Sequence, residues 1–320
     1  MCDTTLLRNT LLGYDPFSIA AFNRHQTAIQ AARGDGSIFT PKADFSAVHS
    51  EPTMNDKRTR LHEQSSTSDV STTNTVRLPL LGKTALVTGA SRGIGASVAR
   101  RLAELGADVA INYRSKGPRA HEVASQVEGL GRRSLLLQAD ITNTEDVAWT
   151  FNEIEKAWKH LDVLVLNASG GLEKDRPADY PMKLNLDAQV NLVNGALPLM
   201  RSGGQIVFVT SHLAHFCETK PVFDGYGPVA ISKRAGESAI RAMMPKIAEC
   251  GVRLVVVSGD LIEGTITPKL LQRQNPGLIE ERRREAGSLP NVEEFATAIV
   301  EAAVSAEHKS GATLFVGSID

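Results

Sequence analysis

The chain has 320 residues, 42% of them hydrophobic and 22% charged, with a formal net charge of −1. That balance gives no electrostatic footprint for nucleic acid or an anionic membrane as partner. No apolar run approaches the ~20 residues a bilayer-spanning helix needs. Three scattered cysteines, Cys2, Cys217 and Cys250, form neither a metal-spaced pair nor a disulfide framework, so a reducing, cytoplasmic compartment without a metal site is expected.

In chain order, residues 1–77 read as a largely disordered extension. Ser65–Thr75 is almost all Ser, Thr, Asn and Asp, a composition that buries no core. Upstream, Asp15-Pro16 can open a helix running to about Arg33, ahead of Gly34 and Gly36. A transit peptide is poorly supported, because Asp3 and Asp15 are acidic and the segment is not Arg-rich. A single folded domain is expected over 78–320, beginning near Leu78.

From Lys83 strands and helices alternate. The predicted strands are Thr84–Thr88, Val109–Asn112, Ser134–Ala139, Val163–Asn167, Ile206–Thr210, Val252–Val257 and Thr313–Val316. Several are near-continuous apolar runs, as when both faces of a parallel sheet are covered. Ile94, Val98, Leu102 and Leu105 recur at helical spacing until Gly106, and Thr142-x-x-Glu145 offers a capping box for a helix carrying Val147, Phe151, Ile154 and Trp158. The reading is α/β: one doubly wound (Rossmann) domain with a seven-stranded parallel sheet and the ligand at the carboxyl ends of its strands.

The most informative stretch follows the first strand: Thr88-Gly89-Ala90-Ser91-Arg92-Gly93-Ile94-Gly95. Glycines at a strand-to-helix turn let the chain fold tightly and let a pyrophosphate approach the uncapped amides of a helix N-terminus. A lone glycine pattern is weak, but here strand, loop and helix come in the required order. The expected occupant is a dinucleotide.

With that loop placed, the chain from about Leu81 to Ser318 resembles the short-chain dehydrogenase/reductase family, in its branch of single-domain reductases. Asp140 after the third strand matches the family's adenine-contacting acid, with Ile141 beside it. Leu166-Asn167-Ala168-Ser169 is similar to its Asn-Asn-Ala-Gly, keeping Asn167 and Ala168. Asn185 aligns with the Asn of its fourth helix, Ser211 with its catalytic Ser, and Lys233 with its catalytic Lys, while Ser258-Gly259 stands for the usual Pro-Gly. The resemblance implies cofactor contacts from Gly89, Ser91, Arg92, Gly93, Ile94, Gly95, Asp140, Ile141, Asn167, Ala168 and Lys233. It also implies a homo-oligomer, dimer or tetramer, with contacts through the helix that carries Lys233. The third glycine falls two residues after the second, which disfavours the family's extended branch of sugar-nucleotide epimerases.

The end of the second strand reads Asn112-Tyr113-Arg114-Ser115, without the acid that holds a ribose 2′-OH. Arg114 and Arg92 can instead face a 2′-phosphate, so NADPH is expected over NADH, unless both are plain surface arginines.

The pattern breaks at the proton donor. The family places a Tyr four residues before its Lys, and that position is Val229. The nearest phenol, Tyr226, lies seven positions before Lys233, about one turn further along the axis and ahead of Gly227-Pro228. A loop tyrosine either bends back toward the substrate as a displaced acid or simply packs. Ser211, or Thr210 beside it, is placed to polarise a carbonyl, and Asn185 either holds a relay water or bonds backbone in a bent helix. His212 and His215 are alternative acids, and Cys217 reads as packing. Pro245 should kink the helix after Lys233. Glu263–Pro290 reads either as a charged, loop-like substrate lid with hinges at Gly264, Pro268 and Gly277 or, given Glu280–Glu285, as a solvated surface helix. The function expected is NADPH-dependent reduction of a carbonyl on a small or medium organic substrate, of the secondary-metabolite or lipid-like kind by family habit. The alternative is a dinucleotide-binding sensor or scaffold without turnover.

Overall fold

The computed structural model describes residues 78–319 apart from Lys174. The helix from Asp15 and the Ser65–Thr75 linker lie outside the described residues. All seven predicted strands form, six of them with shifted ends: β1 (Thr84–Val87), β2 (Asp108–Tyr113), β3 (Ser134–Gln138), β4 (Leu161–Leu166), β5 (Met200–Ser211), β6 (Arg253–Gly259) and, with its bounds as predicted, β7 (Thr313–Val316). They make one wholly parallel sheet in the order β3-β2-β1-β4-β5-β6-β7.

The strand centres are largely apolar because both faces are covered. Successive residues feed opposite cores, as the two-residue strand period requires. Val163, Val165, Val207 and Val209 face a core closed by α1 (Gly93–Glu104), α2 (Gly117–Gly129) and a C-terminal helix, Val292–Val304. Leu164, Leu166, Ile206 and Phe208 face the other core, closed by α3 (Thr144–Trp158) and α4 (Ala188–Ala196). The chain reverses its direction of travel across the sheet after β3, so the ligand crevice opens where β1 lies between β2 and β4.

Three local expectations are corrected. The cap of α3 is Asn143, whose side chain accepts from the amides of Glu145 and Asp146; Thr142 instead donates to Asp140. Pro245 does more than kink: α5 (Gly227–Ala242) ends, and α6 (Met244–Glu249) starts with the proline in its first turn, where a missing N–H costs nothing. In the lid segment the helical alternative holds in place of the loop. It folds as α7 (Ile266–Gln274) and α8 (Leu278–Ala286), entered at Gly264 and Gly277 with φ of 85° and 90°. Arg282 of α8 pairs with Asp260 just after β6 at 3.0 Å, tying the lid to the sheet. The C-terminal helix Val292–Val304 is α9 and carries a complete capping box from Asn291 and Glu294.

Candidate active site

The glycine loop leaves β1 and enters α1 without a side-chain cap at Arg92. Among the described residues, the main-chain N–H groups of Ser91, Arg92, Gly93, Ile94 and Gly95 donate to no protein acceptor. Gly89 and Gly93 have φ of 65° and 55°, a region that favours glycine, and nothing lies within 4 Å of where a Gly93 Cβ would stand. Gly95 packs from the other side: its Cβ would meet Asn167 Nδ2 and the Gly89 carbonyl at 2.6 Å. The loop is therefore a row of open amides backed tightly by β4, the donor set a pyrophosphate requires.

Several residues singled out in the sequence hold this cradle. Asn167 Nδ2 donates to the Thr88 carbonyl at 2.8 Å, and the amides of Asn167 and Ala168 both donate to Thr88 Oγ1 at 3.0 Å. Asp140 accepts from Thr142 N–H at 3.0 Å and Oγ1 at 2.7 Å, and Ile141 is buried in the second core. Thr88 and Asn112 were not assigned these structural roles from sequence. Buried Asn112 accepts from Gly89 N–H and donates to the carbonyls of Leu137 and Ala139, joining the loop to β2 and β3. The signal was present as a polar residue inside an apolar strand.

Asn185 sits in a π-helical turn, Lys183–Asp187, leading into α4. Its Nδ2 donates to the Gly170 carbonyl at 2.9 Å and to Ser232 Oγ at 3.0 Å, and its Oδ1 accepts from Ser169 Oγ at 2.9 Å. It fastens the segment after β4 to α5. Gly236 makes that approach possible, since a Cβ there would lie 1.9 Å from the Asn185 carbonyl oxygen. Lys233 of α5 borders a recess of about 10 Å³, room for about one water, together with Ser169, Asn185 and Gln189. Its ammonium has no hydrogen-bond or ion-pair partner among the described residues, and burial pulls it down to about 8.

Tyr226 lies before the helix, as its spacing predicts, at the N-cap of α5. Its ring is buried and its hydroxyl turns back to Ser211 Oγ at 3.4 Å. Ser211 is the last residue of β5, at the carboxyl edge of the sheet. Burial pushes the phenol above its ordinary value, and the Ser211 hydrogen bond opposes this. Val229, at the family's usual tyrosine position, is packed in the apolar cluster between α5 and the lid with Leu261 and Leu271. Thr210 Oγ1 is buried without a protein partner.

The histidines face elsewhere. His212 Nδ1 is 2.9 Å from Ser258 Oγ, and burial pulls the ring down to about 4. His215 Nδ1 is 2.9 Å from the buried carboxylate of Glu237. Cys217 packs beside the lid cluster, its thiol pushed up by burial. Arg92 and Arg114 are exposed near the loop, and Arg114 donates to Tyr180 Oη.

A family model described as short chain dehydrogenase matches residues 83–275. The chain belongs to the short-chain dehydrogenase/reductase family. A hydroxynaphthalene reductase of Aspergillus fumigatus is 36% identical over 142 residues, 42% of this chain and 51% of that protein. The chain thus spans about half the length of that curated relative. An NADPH-dependent aldehyde reductase-like chloroplastic protein of Arabidopsis thaliana is 29% identical over 65% of this chain and 82% of its own. Among solved structures, a short-chain dehydrogenase from Burkholderia cenocepacia in complex with NADP matches with a TM-score of 0.65 at 28% identity, covering 74% of this chain and 97% of that one. An angucycline C-6 ketoreductase with bound NADP matches at 0.63 and 28%, covering 75% and 96%. Among the described residues, no helix is long and apolar enough to cross a membrane.

Proposed function

We propose that the chain is an NADPH-dependent carbonyl reductase in which Tyr226 has replaced the family's tyrosine. The observation that carries this reading is the Ser211–Tyr226 pair, 3.4 Å apart at the carboxyl end of β5. The residues present fit the cofactor: open amides from Ser91 to Gly95 for its phosphates, exposed Arg92 and Arg114 for a 2′-phosphate, and an unpartnered Lys233 for the nicotinamide ribose. NADP in the two solved relatives above and the name of the Arabidopsis protein support the choice of nicotinamide.

NADPH, when bound, supplies the hydride. Ser211 orients and polarises the carbonyl oxygen. Tyr226 Oη delivers the proton to that oxygen as charge develops on it. A phenol pushed up by burial stays protonated at neutral pH, which suits donation in the reductive direction. Asn185 holds the recess beside Lys233, through which water can return a proton. Asp140, Ile141, Asn167 and Ala168 shape the adenosine side. The apolar cluster under α7 and α8 favours a small or medium organic substrate with an apolar body. The reading places the activity in residues 78–320, in a homo-oligomer within a reducing compartment such as the cytoplasm.

The test is NADPH oxidation by the full-length protein against a panel of ketones and quinones. Turnover that is lost on Lys233→Ala supports the proposal. A second reading, a nicotinamide-binding sensor or scaffold, draws on Val229 at the usual donor position and on a phenol with no cation beside it. Tight NADPH binding with no turnover on any substrate would favour that reading.

A further inference from the structure

Resting on the NADPH reading above, we infer that Tyr180 is the positioning residue for 2′-phosphate recognition, gathering Arg114 and Arg176 into one anion-binding cluster. Tyr180 lies in a short helical turn, Tyr180–Met182, between β4 and α4, and its ring is buried in the second core. Arg114 follows β2 and donates through Nη1 to Tyr180 Oη at 2.5 Å. The guanidinium of Arg176 stands over the same ring, 4.9 Å from its centroid.

Two cations thus converge on one side chain. Like charges repel, and each arginine would be better solvated apart from the other. Neither has a carboxylate partner among the described residues, and Asp179 next to Tyr180 is paired with Lys183 at 2.8 Å. An uncompensated arginine pair is stabilised by a shared anion, and guanidinium geometry suits phosphate oxygens.

Its place in the sheet identifies the anion. Arg114 follows the end of β2, where folds of this kind read the adenosine ribose, and Tyr180 reaches it from the β4 side. Because β1 lies between β2 and β4, the contact spans the side of the crevice next to the glycine loop. A ring fixed in the core holds Arg114 in one orientation before any ligand arrives, so less side-chain freedom is lost on binding. Tyr180 touches the phosphate only through Arg114 and Arg176. It contributes specificity and leaves the hydride step to other groups.

Calorimetry on the full-length protein with adenosine 2′,5′-bisphosphate and with AMP isolates the 2′-phosphate without turnover. Wild type should prefer the bisphosphate. Tyr180→Phe keeps the ring and the Arg176 contact and removes the hydrogen bond to Arg114. It should weaken the bisphosphate about tenfold and leave AMP unchanged. Arg176→Gln should weaken the bisphosphate by a smaller factor. Unchanged bisphosphate affinity in Tyr180→Phe overturns the inference, as does an equal loss for both ligands, which would mark a purely structural tyrosine. If Arg114→Met reduces the preference and Tyr180→Phe does not, this inference fails and the NADPH reading stands. If wild type does not discriminate the two ligands, both fail.

Discussion

Replacing Tyr226 by Phe removes one oxygen from a ring that is 3% exposed. The ring keeps its place in the apolar cluster, so the folding cost is confined to the contact with Ser211. At 3.4 Å that contact is long for two hydroxyls, and its loss should cost about 0.5–1 kcal/mol. For a domain of this size that is a fall in Tm of roughly 1–4 °C. The effect on turnover should be much larger. A positioned general acid contributes roughly 10²–10⁴ in rate, or about 3–5 kcal/mol of barrier. Steady-state NADPH oxidation should therefore show kcat down at least 100-fold with KM little changed, alongside a nearly intact thermal melt. Because burial pushes the phenol above its ordinary value, the wild-type reductive rate should show no loss from phenol ionisation at any pH below about 10. A variant within a factor of about three of the wild-type rate would refute the reasoning, and solvent or substrate would then protonate the product.

Lys233 gives a pH signature. Its folded value of about 8 lies below the ordinary 10.5, so between these values the unfolded chain holds the proton that the folded chain has lost. Stability from this group should rise with pH across that window. Lys233→Met should accordingly be more stable than wild type at pH 7 and lose that advantage by pH 10; parallel melting curves would contradict this. Gly95→Ala forces a Cβ to within 2.6 Å of Asn167 and the Gly89 carbonyl, so NADPH affinity by fluorescence titration should fall at least about tenfold as the loop opens. Asp162 sits near the start of β4, at the opposite end of the sheet from Ser211. Burial alone would raise its carboxyl, but hydrogen bonds from the Thr84 N–H, Lys83 and Arg201 hold it below its ordinary value. Asp162→Asn should lower stability in denaturant titration by about 1–3 kcal/mol and leave kcat unchanged. That stabilisation is present above the unfolded value of about 3.9 and is lost as pH falls through the lower folded value.

The sheet was legible because its information is local. The run Val163–Leu166 of β4 is apolar at every position, the composition expected of a segment covered on both faces. The glycine loop was legible for the same reason: positive φ at Gly89 and Gly93 and the close approach at Gly95 are demands on individual residues, met by one amino acid. Element ends were less legible. Asn143 and Thr142 are both acceptable caps, and the choice between them depended on Asp140 engaging the threonine. The lid left loop and surface helix both open because α8, whose Glu280–Glu285 is wholly charged, buries only Leu278; its anchor, Arg282 on Asp260, joins residues 22 positions apart.

The chain's order of residues by itself therefore determined a doubly wound sheet, a glycine-rich turn into a helix after its first strand, and the absence of a tyrosine four residues before Lys233. It left open whether Tyr226 packs idly or turns to the site. Only the tertiary structure decided that the phenol reaches Ser211, that Asn185 is spent on Gly170 and Ser232, and that Arg114 meets Tyr180. The reason is physical. Backbone conformation and burial pattern are set largely by neighbours along the chain, whereas each of these contacts joins groups 15 to 66 residues apart, which only the packed sheet brings together.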